Sequence, residues 1–439
     1  MFNLNEGQIK AKSDITAMID NPAKNMRFMT LEGPAGSGKT YLLQQIVKTF
    51  NGKKIGFCAP THKAVKVLTK MAFDAGIDHL LDIRTIHSAL GLTMKRKYGK
   101  EVLERNKFAK ERVYDVLWID EGSMLGDDIL GYILNCKSDK VIFVGDRYQI
   151  GAVNAPVGSV SSIFTDVDLI TRLTEIVRTA EGNPIIELAT SFRSAQDTIM
   201  AGGIAGFPMI NNNLNAEGHG IKVTGITPWF EQYVALAKSK EFAEDPDHAR
   251  IVCYTNDCVD EINAAVRTHL HGHDVVDYLV GEVLVAQAKG PTENSYKNAE
   301  ELKILSIEDD MCDTHDVPCY NVSVISMHTG LIHSGKIVHN SYKETYASRL
   351  QSLASRAGVG KGSKGLWREF WSLNDAFMDV KDIYAMTSHK SQGSTFNHTY
   401  IYADDFIKFG VSLEILRLMY TAITRSRLIT NFGTEHAGG

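Results

Sequence analysis

GPAGSGKT, Gly33–Thr40, fits the pattern G-x-x-x-x-G-K-[ST] at every fixed position. It follows the apolar residues Met29 and Leu31 and precedes Leu42, Leu43, Ile46 and Val47 at helical spacing, so the motif has its strand-loop-helix context. The spacing suits a phosphate cradle for physical reasons. Glycines let backbone N–H groups curl round β- and γ-phosphates, and a helix N-terminus adds partial positive charge. Lys39 supplies a point charge and Thr40 offers a hydroxyl to Mg²⁺. Gly33, Pro34, Ala35, Gly36, Ser37, Gly38, Lys39 and Thr40 are therefore candidate nucleotide contacts.

A chain of 439 residues allows about two to four domains, and 44% hydrophobic residues suffice for their cores. A net charge of −5 and a pI near 6.3 argue against a globally basic nucleic-acid binder, so any such contact must come from local patches. No apolar run approaches the ~18 residues of a membrane span, and the opening MFNLNEGQIK lacks the charged and apolar regions of a signal peptide. A cytoplasmic protein with no membrane partner is expected, in the host cytoplasm if a phage encodes it. Six scattered cysteines with no C-x-x-C pair disfavour a zinc ribbon and a disulfide framework, and read mostly as buried small hydrophobes.

Outward from the loop, residues 5–20 carry Ala11, Ile15, Met18 and Ile19 at helical spacing, with Asn5 and Gln8 placed like a capping pair. Gln8 has two readings of equal weight: a helix cap, or an amide that reads an adenine edge and so favours ATP. On the other side, KKIGFCAP ends at Pro60 where a strand meets the helix that begins THKAVKVL, and RTIHSAL repeats the arrangement at His87. Strand C-termini are where open α/β sheets place ligands. His62 and Lys63 are thus candidate contacts to a phosphate backbone, beside the plainer reading of a solvated helix start; His87 alone reads more readily as structural. VYDVLWIDEGSM is a buried-type strand that ends in Asp120 and Glu121, about eighty residues past the loop. There Asp120 can hold Mg²⁺ and Glu121 can polarise an attacking water. KVIFVGDRYQI brings Gly145, Asp146 and Gln149 to a third strand end, where Gln149 can sense a γ-phosphate.

Between Lys95 and Arg112 eight basic residues stand against three acidic ones, with Tyr98 and Phe108 interleaved. Cations for phosphates and rings for base faces suit a single nucleic-acid strand; a solvated hairpin or helix face has equal weight. DLITRLTEIVRT reads as a bridge into a second half. A helix started by Asn183 and Pro184, a loop over 202–220 and a strand-helix pair beginning ARIVCYTND follow it, which makes a second α/β domain. Short β-rich runs from Tyr278 to Asn340 suggest a small antiparallel barrel inserted there. Residues 341–380 read as helical with Trp367 and Trp371 on one packed face, and the texture from 383 onward returns to strand, loop and helix.

In order, GPAGSGKT, APTHKA, RTIHSAL, IDEGS, GDRYQI, TEIVRT, TSHKSQGSTF and YTAITRSR form a series that resembles the superfamily 1 DNA helicases of the B-type branch, most similar to phage Dda-type and RecD-like enzymes. The similarity covers nearly the whole chain. It implies an α/β architecture of two RecA-like P-loop folds: residues 1–170 with a pin insertion at about 91–112, then 171–275 and 381–439 as the second fold, interrupted at 276–380 by an SH3-like β-barrel and helical insertion. It implies ATP with Mg²⁺ between the folds and single-stranded DNA, or a junction of single strand and duplex, across both. By this resemblance Gln8 reads adenine, Lys39 and Thr40 hold phosphate and Mg²⁺, Asp120 and Glu121 bind metal and activate water, and Gln149 couples nucleotide state to closure. Gly393 joins the nucleotide-binding set. Arg178 and Arg425 reach the γ-phosphate from the second fold, Arg425 being preferred to Arg427 because it completes the family's Thr-Arg pair. Pro60, Thr61, His62, His87, His389, Lys390 and Ser391 contact DNA, and Tyr98 or Phe108 is the pin wedge. Gly122 departs from the pattern and is expected to soften the turn without removing a catalytic group. The implied activity is ATP-dependent 5′-to-3′ unwinding by a monomer, in company with a single-strand binding protein or replication and recombination proteins. The alternative is a DNA-stimulated ATPase that translocates and displaces proteins without unwinding.

Overall fold

The computed structural model describes residues 4–23, 26–50, 52–97, 100–152, 161–175, 183–272, 277–288, 290, 295–312, 314–358 and 363–435. Two compact units result, one of Met1–Thr93, Arg105–Val259 and Met386–Gly439, the other of Met94–Glu104 and Asp260–Ala385.

The first unit contains two six-stranded sheets. Across the first, the strands run Leu81–Thr85, Ile55–Ala59, Val116–Ile119, Lys140–Gly145, Phe28–Glu32 and Leu169–Arg172, all parallel. Every residue of Ile55–Ala59, Val116–Ile119 and Lys140–Gly145 is buried, as a parallel sheet covered on both faces requires. The helix Glu6–Asp20 starts at a capping box of Asn5 and Gln8, and its Ala11, Ile15, Met18 and Ile19 share a core with Leu42, Leu43, Ile46 and Val47 of the helix behind the phosphate loop. The strand Leu169–Arg172 departs from the expected bridge into a second half, because it closes the first sheet. Asp168 accepts from the N–H groups of Arg27 (2.7 Å) and Phe28 (2.8 Å), which fixes the chain beside the strand that leads to the loop.

Across the second sheet the order is Ala385–Thr387, Ala249–Cys253, Phe396–Tyr402, Ser426–Thr434, Gly220–Gly225 and Asn213–Leu214. The pairings from Ala249–Cys253 to Gly220–Gly225 are parallel, and Asn213–Leu214 is antiparallel. The helices Pro184–Met200 and Leu413–Ile423 lie together against it, with Phe192, Ile401, Leu416, Met419 and Phe432 in one core.

In the other unit, five antiparallel strands follow the order Ile332–Val338, Val317–Ser326, Glu301–Cys312, Val283–Ala286 and Val380–Asp382. The helices Lys343–Gly358 and Ser363–Asp375 pack on each other, with Leu353 and Leu373 buried. Phe370 lies edge-on to both Trp367 and Trp371, at 5.5 and 4.8 Å between ring centroids, and so forms the packed aromatic face. A separate hairpin pairs Leu92–Lys97 with Lys100–Arg105. All six cysteines are free and buried. Among the described residues no helix is long and apolar enough to cross a membrane.

Candidate active site

Register brings three strand ends together. Glu32 stands opposite Gly145, and Phe143 opposite Ile119, so the phosphate loop, Asp146 and Asp120 leave the sheet side by side. The Gly33 N–H donates to the Gly145 carbonyl at 3.1 Å. Gly36 and Gly38 have φ of 82° and 77°, which glycine adopts without a Cβ clash. Gln8 takes the helix-cap reading: it is buried, its Oε1 accepts from the Asn5 N–H (3.2 Å), and its Nε2 donates to the Ser37 carbonyl (3.1 Å). One amide therefore caps the leading helix and braces the loop. Lys39 opens the helix Lys39–Val47, whose start has no side-chain cap, and its Nζ donates to the carbonyls of Gly33 (2.6 Å) and Pro34 (2.9 Å). Uncapped amides at such a start are an anion site in waiting.

Burial first and the Glu121 carboxylate second push Asp120 up to about 7, against the pull of Lys39. A divalent cation beside it reverses that balance. Glu121 itself sits in the left-handed region at φ 52°, a conformation that costs a non-glycine residue about 1–3 kcal/mol and clusters at functional sites. Gly122, expected to soften this turn, has a different reason. A Cβ there would lie 2.8 Å from Ile163 Cδ1 and 3.1 Å from the Val144 carbonyl, so a side chain would press on the neighbouring strand and make Ile163 shift. Gln149 Oε1 and Ser37 Oγ are buried with no hydrogen-bond partner among the described residues. Such atoms are expensive unless a ligand engages them. Together with half-buried Thr40 in the first helical turn, this set fits a nucleoside triphosphate with Mg²⁺ at Thr40 and Asp120.

The second sheet meets this site along the GDRYQI segment. Asp146 Oδ2 accepts from the Ala35 N–H (3.1 Å) and from the Tyr420 hydroxyl (2.6 Å), and Oδ1 accepts from the Tyr148 N–H (3.0 Å). The Ile150 N–H donates to Thr421 Oγ1 (3.3 Å), and the Ile150 carbonyl accepts from Gln392 Nε2 (2.8 Å). Arg425 follows the helix Leu413–Ile423 and is buried. Its Nε donates to the Thr421 carbonyl (3.1 Å) and its Nη1 to the Ser394 carbonyl (3.3 Å). Arg427 is exposed. A cavity of about 280 Å³ opens beside the loop, lined by Pro34, Asp146, Tyr148, Arg172, Arg193 and Asp197 among others. The roles of Asp146, Tyr420, Ile150 and Gln392 escape sequence reasoning.

The expected DNA contacts divide. Thr61 caps the helix His62–Asp74 by accepting from the Ala64 N–H (3.1 Å), beside half-buried Pro60 and exposed His62. Lys63 instead reaches Asp247 at 3.1 Å. Against desolvation, Lys63 and Arg250 hold that carboxyl below its usual range. His87 and His389 are half-buried, and desolvation lowers both, opposed by Asp128 and Glu414 respectively. Lys390 is exposed. Ser391 is a correction: it is fully buried and its hydroxyl donates to the Ser388 carbonyl (2.7 Å), closing the one-turn helix Ser388–Ser391, so it presents nothing to DNA. Gly393, at φ 72°, lies against Ala64, 3.3 Å from where its Cβ would be. Phe108 is 98% exposed but lies past the second hairpin strand, which ends at Arg105. Tyr98 and Arg178 lie outside the described residues.

A phosphate loop on one parallel sheet and a helix followed by Arg425 on a second define a two-lobed P-loop nucleotide-binding protein. Residues 3–203 match a family model described as an AAA domain, and residues 382–428 one described as a UvrD-like helicase C-terminal domain. The chain is 26% identical over 459 residues to the ATP-dependent DNA helicase dda of Enterobacteria phage T4, covering 97% of the chain and 98% of that protein. An uncharacterized protein of Acanthamoeba polyphaga mimivirus is 24% identical over 504 residues, covering 97% and 98%. The fold matches a solved structure of two coordinating Pif1 helicases at forked double-stranded DNA, with TM-score 0.51, 19% identity and coverage of 98% of this chain and 92% of that one. The chain is thus similar along nearly its whole length to the Dda helicase, and its fold is similar to that of the Pif1 structure.

Proposed function

We propose that the protein is an ATP-dependent DNA helicase that moves 5′ to 3′ on single-stranded DNA and opens the duplex ahead of it. The observation that carries this reading is the shared edge: Lys39, Asp120, Glu121 and Gln149 leave adjacent parallel strands, and the helix that Arg425 follows contacts the segment holding Gln149. Lys39 exchanges the carbonyls of Gly33 and Pro34 for phosphate oxygens. Thr40 and Asp120 would hold Mg²⁺, which when bound supplies charge neutralisation at the phosphates. Glu121 orients the attacking water and takes its proton, while Gln149 reports whether a γ-phosphate is present. Arg425, with Arg178, completes the charge that stabilises the transition state when the lobes close, so turnover is tied to motion. Gln8, bracing the loop, offers its amide edge to adenine.

His62, His87, His389 and Lys390 lie in the first turns of helices on the two lobes and serve the DNA backbone, and the basic hairpin is the pin. Opening a base-pair step costs about 1.4 kcal/mol, and stacking a base on an aromatic ring returns about 1–3 kcal/mol, so one ring at the pin offsets much of the melting cost. The five-stranded sheet of the other unit takes the place of the SH3-like insertion. The protein works in the cytoplasm as a monomer, at junctions coated by a single-strand binding protein. Strand separation on matched duplexes with a 5′ or a 3′ single-stranded tail tests this. Opening only the 5′-tailed duplex is expected. Opening neither, with DNA-stimulated ATP hydrolysis intact, replaces the helicase by a translocase that displaces proteins.

A further inference from the structure

We propose that Tyr420 is a positioning residue that links the phosphate loop to Arg425 through the Asp146 carboxylate. It rests on the ATPase reading above and assigns a role to a residue which that reading leaves out. A single oxygen, Asp146 Oδ2, accepts both from the Ala35 N–H of the phosphate loop and from the Tyr420 hydroxyl of the opposite lobe. At 2.6 Å the hydroxyl contact is in the range of a charge-assisted O–H···O⁻ bond, roughly twice as strong as a neutral one. Tyr420 is 1% exposed, so water cannot replace the carboxylate as its partner. Burial, followed by the Asp146 charge, drives the phenol far above its usual titration range, which keeps it a hydrogen-bond donor at every working pH.

From Tyr420 the path to the arginine is short. The adjacent Thr421 supplies the carbonyl that holds Arg425 Nε, and its hydroxyl holds the Ile150 N–H. Ala35 N–H is one of the amides that phosphate would engage. A ligand that draws this amide away changes the load on Asp146 Oδ2, and the hydroxyl on the same oxygen passes that change to the end of the helix Leu413–Ile423, which Arg425 follows. The backbone contacts of Ile150 with Thr421 and Gln392 hold the lobes together independently. Losing the Tyr420 hydroxyl therefore loosens the link without separating the lobes. A physical warrant for coupling needs both ends to respond, and a double-mutant cycle supplies it.

The test uses the full chain and its variants Tyr420→Phe, Asp146→Asn and the double variant. Melting temperature, ADP affinity, and kcat and KM for ATP are measured with and without saturating oligo-dT. Tyr420→Phe is expected to melt within about 3 °C of wild type and to keep ADP affinity and KM within about twofold. Its kcat should fall about tenfold, and the double variant should be no slower than Asp146→Asn alone. A kcat within twofold of wild type overturns the proposal, as does additivity in the double variant. A fall in kcat that tracks a lowered melting temperature and recovers on cooling assigns Tyr420 to stability and also overturns it. Wild-type turnover that ignores oligo-dT defeats the helicase reading instead, and the link is then read on the basal rate.

Discussion

The two sheets of the larger unit meet one seam with opposite degrees of readiness. The first delivers Lys39, Asp120, Glu121 and Gln149 from strand ends whose register is fixed by the parallel ladder, and it carries Glu121 in a left-handed turn. The second delivers Arg425 at a helix end, with its guanidinium engaged by the carbonyls of Thr421 and Ser394 in its own lobe. Under the proposed reading the first sheet's cradle would bind nucleotide, and Arg425 would have to leave those carbonyls to reach it, which would tie hydrolysis to movement.

The largest expected effects separate these roles. Arg425→Ala should lower ATP turnover by about 10³-fold, the scale of an arginine finger, while leaving the affinity for ADP within a few fold. Lys39→Ala should lower turnover by a similar or slightly smaller factor and also weaken ADP binding. Steady-state hydrolysis paired with ADP titration distinguishes the two. Equal loss of ADP affinity in both variants would break the contrast between the lobes. Next comes Glu121→Gln, in which the isosteric amide keeps the turn but cannot take the proton. Turnover should fall about 10²-fold or more with ATP and DNA binding intact, and normal turnover in this variant would remove Glu121 as the base.

This contrast also marks how much of the molecule its sequence discloses. The first lobe is legible because phosphate chemistry demands particular residues at fixed spacing: Gly36 and Gly38 for positive φ, Lys39 for charge, and carboxylates after an apolar strand. The strand Leu169–Arg172 is less legible, since its place in the first sheet depends on Asp168 finding the N–H groups of Arg27 and Phe28 far away in sequence. Ser391 fails for a related reason: a serine beside exposed Lys390 looks available, and only helical geometry turns its hydroxyl inward. The Asp146–Tyr420 contact joins residues 274 apart, and no local pattern encodes it.

The lobes also differ in their response to acid. His398 lies in the second sheet beside His248, with ring centroids 5.1 Å apart. Desolvation first, then the nearby His248, lowers it to about 4. The fold therefore favours the neutral ring, and its contribution is present above the unfolded value near 6.5 and is lost as pH falls toward 4. Discounted for solvent screening of this partly exposed ring, the protein should have lost on the order of 1 kcal/mol at pH 5 relative to pH 8 from this group. Urea denaturation at the two pH values checks it, and His398→Gln should flatten the difference. An unchanged slope in that variant would place the acid sensitivity elsewhere.

The smallest effect concerns Lys63, whose position after Thr61 suggests DNA but whose Nζ is 3.1 Å from Asp247 of the second lobe. Both side chains are partly buried, and Arg250 remains at 3.2 Å from the same carboxylate, so Asp247 is not left without a cation when Lys63 is removed. Lys63→Met should therefore cost no more than about 1 kcal/mol of stability. Because a lysine engaged by a carboxylate displaces few counterions from DNA, the same variant should leave the salt dependence of DNA affinity unchanged. For Lys390, which the proposed reading sets on the DNA backbone, Lys390→Ala should lower the slope of log affinity against log salt by about 1. Fluorescence-anisotropy titrations of an oligonucleotide across a salt series read both. A slope that drops in Lys63→Met and holds in Lys390→Ala would reverse the assignment, placing the DNA backbone at the seam and freeing the Lys390 loop from it.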